Sequence, residues 1–110
     1  MKKLIYLATP YSHPDQKIRE ERFRIVNYMA GKLMSKGDII YSPISHTHPI
    51  ALEYELPLDW EFWNKQCIAY LQLSEKVIVL MQDGWKESVG VTAEIKIAKE
   101  MGIPIEYIEV

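Results

Sequence analysis

The chain is 110 residues long, 48% hydrophobic and 25% charged, with a formal charge of −2 at neutral pH. These values describe one folded domain over residues 1–110 with a small core, and they exclude a disordered or low-complexity chain. The near-neutral balance gives no basic field for duplex nucleic acid, the single Cys67 cannot pair within the chain, and no Cys/His spacing suits a metal.

The opening MKKLIYLATPYS has two lysines and an apolar run that Thr9 and Pro10 interrupt too early for a secretory leader. No segment is long enough to span a bilayer, so a reducing cytoplasm is the expected compartment. Leu4–Ala8 is rich in strand formers and reads as a buried first strand. Asp15 is placed to cap a helix over Gln16–Lys36, with Ile18, Arg22, Ile25, Val26, Met29, Ala30 and Leu33 at amphipathic spacing. Gly37 stops that helix, and Asp38–Ser42 is a second strand closed by Pro43.

Ser45–Leu58, with Pro43, Pro49 and Pro57 in or beside it, reads as irregular chain that carries function or covers a pocket, with at most a helical turn at Ala51–Tyr54. Asp59 is a plausible cap for a helix over Trp60–Leu73. Lys76–Met81 is a third strand, followed by a polar loop at Gln82–Glu87 and a helix to about Met101. Gly102 ends that helix, and Pro104–Ile108 is the last strand. Strands alternating with helices predict an α/β protein: a Rossmann- or flavodoxin-like three-layer sandwich with a parallel sheet of four strands, or five, in the order 2-1-3-4. Its ligand crevice would lie at the carboxyl ends of strands one and three, where Thr9–Asp15, Ser42–His48 and Asp83–Glu94 meet.

On the last long helix, Gly90, Glu94, Ile97, Ala98 and Met101 form one stripe, with Thr92, Lys96, Lys99 and Glu100 on the solvated side. A carboxylate on an apolar stripe is costly unless it has partners or a task. Glu94 could attack C1′ of a sugar, or simply be hydrogen-bonded to backbone or to a tyrosine. Ser88 and Gly90 sit at the helix start, where free N–H groups and the helix dipole suit a phosphate or carboxylate; the plainer reading makes Ser88 a cap. Tyr6 either packs in the core or turns its hydroxyl toward the crevice and Glu94. His46 and His48 could contact a phosphate, serve as acid or base, or decorate a loop. Trp85 could stack on a base, Pro10 in the first crevice segment is a further substrate contact, and Asp59 reads as a cap more readily than as an acid. Trp60 and Trp63, three apart on one helix, suit core packing or a subunit interface.

Four stretches together resemble the nucleoside 2-deoxyribosyltransferase superfamily, in particular a small bacterial and phage branch (DUF1937). They are IYLATPYS at Ile5–Ser12, the YSP-plus-histidine segment at Tyr41–His48, LPLDWEFW at Leu56–Trp63, and DGWKESVGVTAEIKIA at Asp83–Ala98. Ser88, Gly90 and Glu94 match the S-x-G-x-x-x-E register of related nucleotide N-glycosidases. The resemblance implies cleavage of an N-glycosidic bond, by hydrolysis or by transfer. Glu94 would be the nucleophile, Tyr6 would orient it, and Ser88 and Gly90 would hold a 5′-phosphate. It implies a nucleoside or nucleotide as the small-molecule partner and no metal or organic cofactor. The alternative is a non-catalytic nucleotide-binding module of the same fold. Relatives carry an Asp on the helix before strand three, and the matching position here falls close to Cys67. The small core and surplus aromatic surface point to a homo-oligomer, a dimer or higher.

Overall fold

The computed structural model describes residues 3–110. The elements run β1 (Leu4–Ala8), α1 (Gln16–Ser35), β2 (Ile39–Tyr41), α2 (Pro43–Tyr54), α3 (Trp60–Gln72), β3 (Lys76–Leu80), α4 (Val89–Glu100) and β4 (Ile105–Ile108). All strand pairs are parallel and the order is β2-β1-β3-β4, as expected, with four strands among the described residues.

Strand side chains alternate between faces. On one face Ile5, Leu7, Ile78 and Leu80 meet Val26, Met29, Ala30 and Leu33 of α1. On the other, Tyr6, Ala8, Val77 and Val79 meet Cys67 and Leu71 of α3 and Val91 and Ala98 of α4. Helices therefore cover both faces, which an all-parallel sheet requires. The same alternation puts Tyr6 on the α3/α4 side, two residues before β1 ends. Asp15 caps α1 by accepting from Lys17 N at 2.9 Å.

One element differs from the sequence expectation. Pro43–Tyr54 is a continuous helix rather than an irregular segment. Pro43 stands in its first turn, where the missing N–H costs nothing. Pro49 lies inside the helix, where it deletes one backbone hydrogen bond. Burial of Pro43, Thr47, His48 and Ala51 on one face offsets that loss. Beyond its end Glu55 takes the left-handed conformation (φ 59°), and Leu56 N donates to Ala51 O at 2.9 Å. Glycine adopts this conformation without strain, so Glu55→Gly is expected to stabilise the fold by about 1 kcal/mol. Thermal melts of the two proteins check this, and a lower melting temperature for the variant would refute it.

The α4 stripe also needs adjustment. Val91, Glu94 and Ala98 are its buried residues, while Met101 is 42% exposed at the C-cap. Thr92, Lys96, Lys99 and Glu100 are exposed as expected. No helix among the described residues is long and apolar enough to cross a membrane.

Candidate active site

The chain segments that leave β1, β2 and β3 converge on a cavity of about 460 Å³. Thr9, Tyr11 and Ser12 line it from the β1–α1 connection, and Thr47, His48 and Ala51 from α2. Ser88, Gly90 and Glu94 line it from the start of α4. A fourth wall comes from Asp59, Trp60, Trp63 and Cys67 around α3; Asp59 is a candidate from the sequence, whereas the sequence pattern assigns Trp60 and Trp63 to core packing or a subunit interface.

Glu94 is 5% exposed, and Tyr6, wholly buried, donates its hydroxyl to Glu94 Oε2. Burial raises the Glu94 carboxyl and outweighs the opposing pull of the Tyr6 hydrogen bond, leaving it at about 8. The Tyr6 phenol is itself held well above its ordinary value, by burial first and then by the Glu94 charge. Cys67 stands beside this pair and keeps its proton to about 11, because burial and then the nearby carboxylate both oppose the thiolate.

Ser88 occupies the N-cap of α4 and accepts from Val91 N at 3.1 Å. The cap and the cavity lining thus coincide in one side chain. The Val89 and Gly90 N–H groups have no acceptor within the helix, so the first turn presents donors and positive potential. A Cβ on Gly90 would sit 3.4 Å from the Trp60 ring, so the bare glycine keeps the space between indole and helix open.

The connections are pinned by groups that the sequence pattern left without a role. Gln82 donates to Thr9 Oγ1 at 2.6 Å and to Arg22 O at 3.2 Å. Arg22, buried on the inner face of α1, donates to Ser12 O at 3.0 Å and Tyr11 O at 3.3 Å. Gly84 (φ 91°) lies against its guanidinium, where a Cβ would collide. Arg22 was detectable by the signal that marks Glu94: a charged residue on an apolar helical stripe.

The remaining candidates divide. His48, 3% exposed, lines the cavity, whereas His46 is exposed, shares a hydrogen bond with Tyr41 Oη (3.0 Å), and lies outside it. Asp59 is at the N-cap of α3 without a side-chain capping bond, and it lines the cavity while exposed. Pro10 is fully buried and does not line the cavity. Trp85 does not line it either; the turn through Gly84 lays its indole on Tyr107 of β4, with ring centroids 5.7 Å apart. Trp60 and Trp63 are half-buried in the wall, and Trp63 Nε1 donates to Pro57 O at 2.7 Å. No cluster of three or more His, Cys, Asp or Glu among the described residues could hold a metal ion.

The sheet order 2-1-3-4 and the four helices define a nucleoside 2-deoxyribosyltransferase-like fold. A solved 2-deoxyribosyltransferase from the psychrotolerant bacterium Bacillus psychrosaccharolyticus shares it, with a TM-score of 0.67 and 17% identity over 96% of this chain and 72% of that one. The chain belongs to the family described as "Domain of unknown function (DUF1937)", which matches residues 3–110. Comparison with curated proteins gives no match.

Proposed function

We propose that the protein is an N-glycosidase or deoxyribosyltransferase acting on a nucleoside or nucleoside 5′-monophosphate, with Glu94 as nucleophile at C1′. One observation carries this reading: a buried carboxyl, hydrogen-bonded by Tyr6, lines a cavity beside the open first turn of α4. Tyr6 engages Oε2, which leaves Oε1 to attack C1′ as the base departs. Little water reaches the carboxylate, so its charge acts strongly on the oxocarbenium-like carbon. Ser88 and the N–H groups of the first α4 turn bind a 5′-phosphate, and the indoles of Trp60 and Trp63 supply apolar surface for the base or sugar. Water or a second base then resolves the glycosyl-enzyme. The test is chromatography of free base from a panel of ribo- and deoxyribonucleosides and their monophosphates. The reading predicts base from at least one of them and from none with Glu94→Ala.

A binding-only role is the second reading. The observation in its favour is that a carboxyl lifted to about 8 is mostly protonated at neutral pH, a poor state for a nucleophile. Saturable nucleotide binding without base release across pH 6–9 would establish it.

A further inference from the structure

A second polar group lines the cavity, apart from the Tyr6–Glu94 pair. The Tyr11 hydroxyl meets His48 Nδ1, and His48 Nε2 lies 3.1 Å from Glu20 Oε1. Tyr11 and His48 are 8% and 3% exposed, and both line the cavity, while Glu20 on α1 stands behind them, 31% exposed. Phe23 packs on the imidazole with centroids 4.3 Å apart, and the Tyr11 ring meets it edge-on at 5.3 Å. The ring is therefore fixed in both position and tilt. Charged neighbours of this group are Glu20, Arg19 and Arg22, all from α1.

Breaking a C1′–N bond leaves an electron pair on the base, which departs far more easily if a proton arrives with it. Glu94 cannot supply that proton while it acts as nucleophile. Cys67 is packed against the Tyr6–Glu94 pair itself, and Asp59, Glu61 and Glu87 are exposed carboxylates at the rim. Burial raises the Tyr11 phenol as well, so it can serve as an acid only if a second proton reaches its oxygen as the first departs, which the contact with His48 allows.

We propose that Tyr11 is the catalytic acid for base departure, with His48 and Glu20 as positioning residues that return its proton. The inference rests on the glycosidase reading above. With His48 in its imidazolium form, both ring nitrogens donate: Nε2–H to Glu20 and Nδ1–H to the Tyr11 oxygen. The phenol hydrogen is then free to point into the cavity. As the C1′–N bond breaks, its electron pair goes to the base, the Tyr11 proton follows, and the Nδ1 proton moves to the Tyr11 oxygen. The ring is left neutral, and its Nδ1 now accepts from Tyr11, so the phenol oxygen can accept from water. When water attacks C1′, the C1′–O bond to Glu94 breaks and its electron pair restores the carboxylate. The proton lost by water passes to Tyr11 and on to His48. The group returns to the protonation state in which it began, with no other reactant consumed.

The experiment compares two leaving groups on one sugar: a nucleotide that the native protein cleaves, and the matching 4-nitrophenyl glycoside, whose phenolate departs without a proton. In the first turnover, before water resolves the glycosyl-enzyme, Tyr11→Phe is expected to slow base release on the order of 100-fold, yet to slow nitrophenol release by less than about threefold. Glu20→Gln, which leaves the buried ring pair in place, is expected to slow base release by roughly tenfold and nitrophenol release hardly at all. Equal losses on both substrates, or no loss on either, overturn the assignment of Tyr11. Loss of both activities in Glu94→Gln, with Tyr11→Phe selective, supports it. If the native protein releases neither product from any substrate, the glycosidase reading itself fails and this assignment with it.

Discussion

Glu94→Gln is expected to lower base release by at least about 10⁴-fold, because the amide cannot form the glycosyl ester and nothing else in the cavity can replace it. Nucleotide binding should survive, since the phosphate and base contacts lie elsewhere in the cavity. The same substitution should make the fold more stable above neutral pH. The native carboxyl, lifted to about 8 by burial, keeps a proton that the unfolded chain releases near its ordinary 4.5. Between those values unfolding releases a proton, so native stability falls as pH rises. The favourable contribution is complete below about 4.5 and is gone once pH has passed through about 8. At roughly 1.4 kcal/mol per pKa unit, the penalty by pH 9 reaches about 3–5 kcal/mol. The variant lacks it. Its melting temperature should match the native protein near pH 5 and exceed it by on the order of 10 °C at pH 9. Melts at both pH values check this. A constant difference, or a variant less stable at pH 9, would mean that the carboxyl is not held protonated.

The second large effect is on the pH profile of catalysis. A nucleophilic Glu94 works only when ionised, so kcat/KM should rise about tenfold per pH unit from pH 6 until it levels near pH 8. The Tyr6 hydrogen bond favours the charged form and pulls the carboxyl down against burial. A hydrogen bond to a charged group contributes about 1.5–3 kcal/mol, which corresponds to roughly one to two pKa units. Tyr6→Phe should move the midpoint upward by about that amount and slow the reaction at pH 7 by roughly 10- to 100-fold. The native-to-variant ratio of kcat/KM should therefore shrink toward one as pH rises past about 9, since any other titrating group limits both proteins alike. A steady-state profile from pH 5.5 to 10 for both proteins decides this. A variant equally slow at every pH would show that Tyr6 packs but does not tune the carboxyl.

The fold was readable because its signals are short-range. LIYLA and KVIVLM are apolar runs of strand length, and Gly37 and Gly102 follow helical patterns that they end. Glu94 and Ser88 were readable for a related reason: helical periodicity places both relative to one turn. Helix α2 was obscured by Pro49, whose local cost is offset only by tertiary burial of Thr47, His48 and Ala51. The Tyr11–His48–Glu20 group joins residues 28 and 37 positions apart, and no local pattern announces it. Trp85 shows the opposite failure. Its position beside the crevice loop suggested a ligand contact, but the turn direction set by Gly84 sends it to β4.

Covalent trapping tests the role of Glu94 most directly. The protein would be incubated with a 2′-fluorinated analogue of a nucleotide that it cleaves, a substitution that slows turnover of the glycosyl-enzyme. Mass spectrometry of the quenched protein and its peptides follows. A single added sugar, phosphorylated or not, on Glu94 is the result predicted. Base release with no adduct, or an adduct on any other residue, would contradict it.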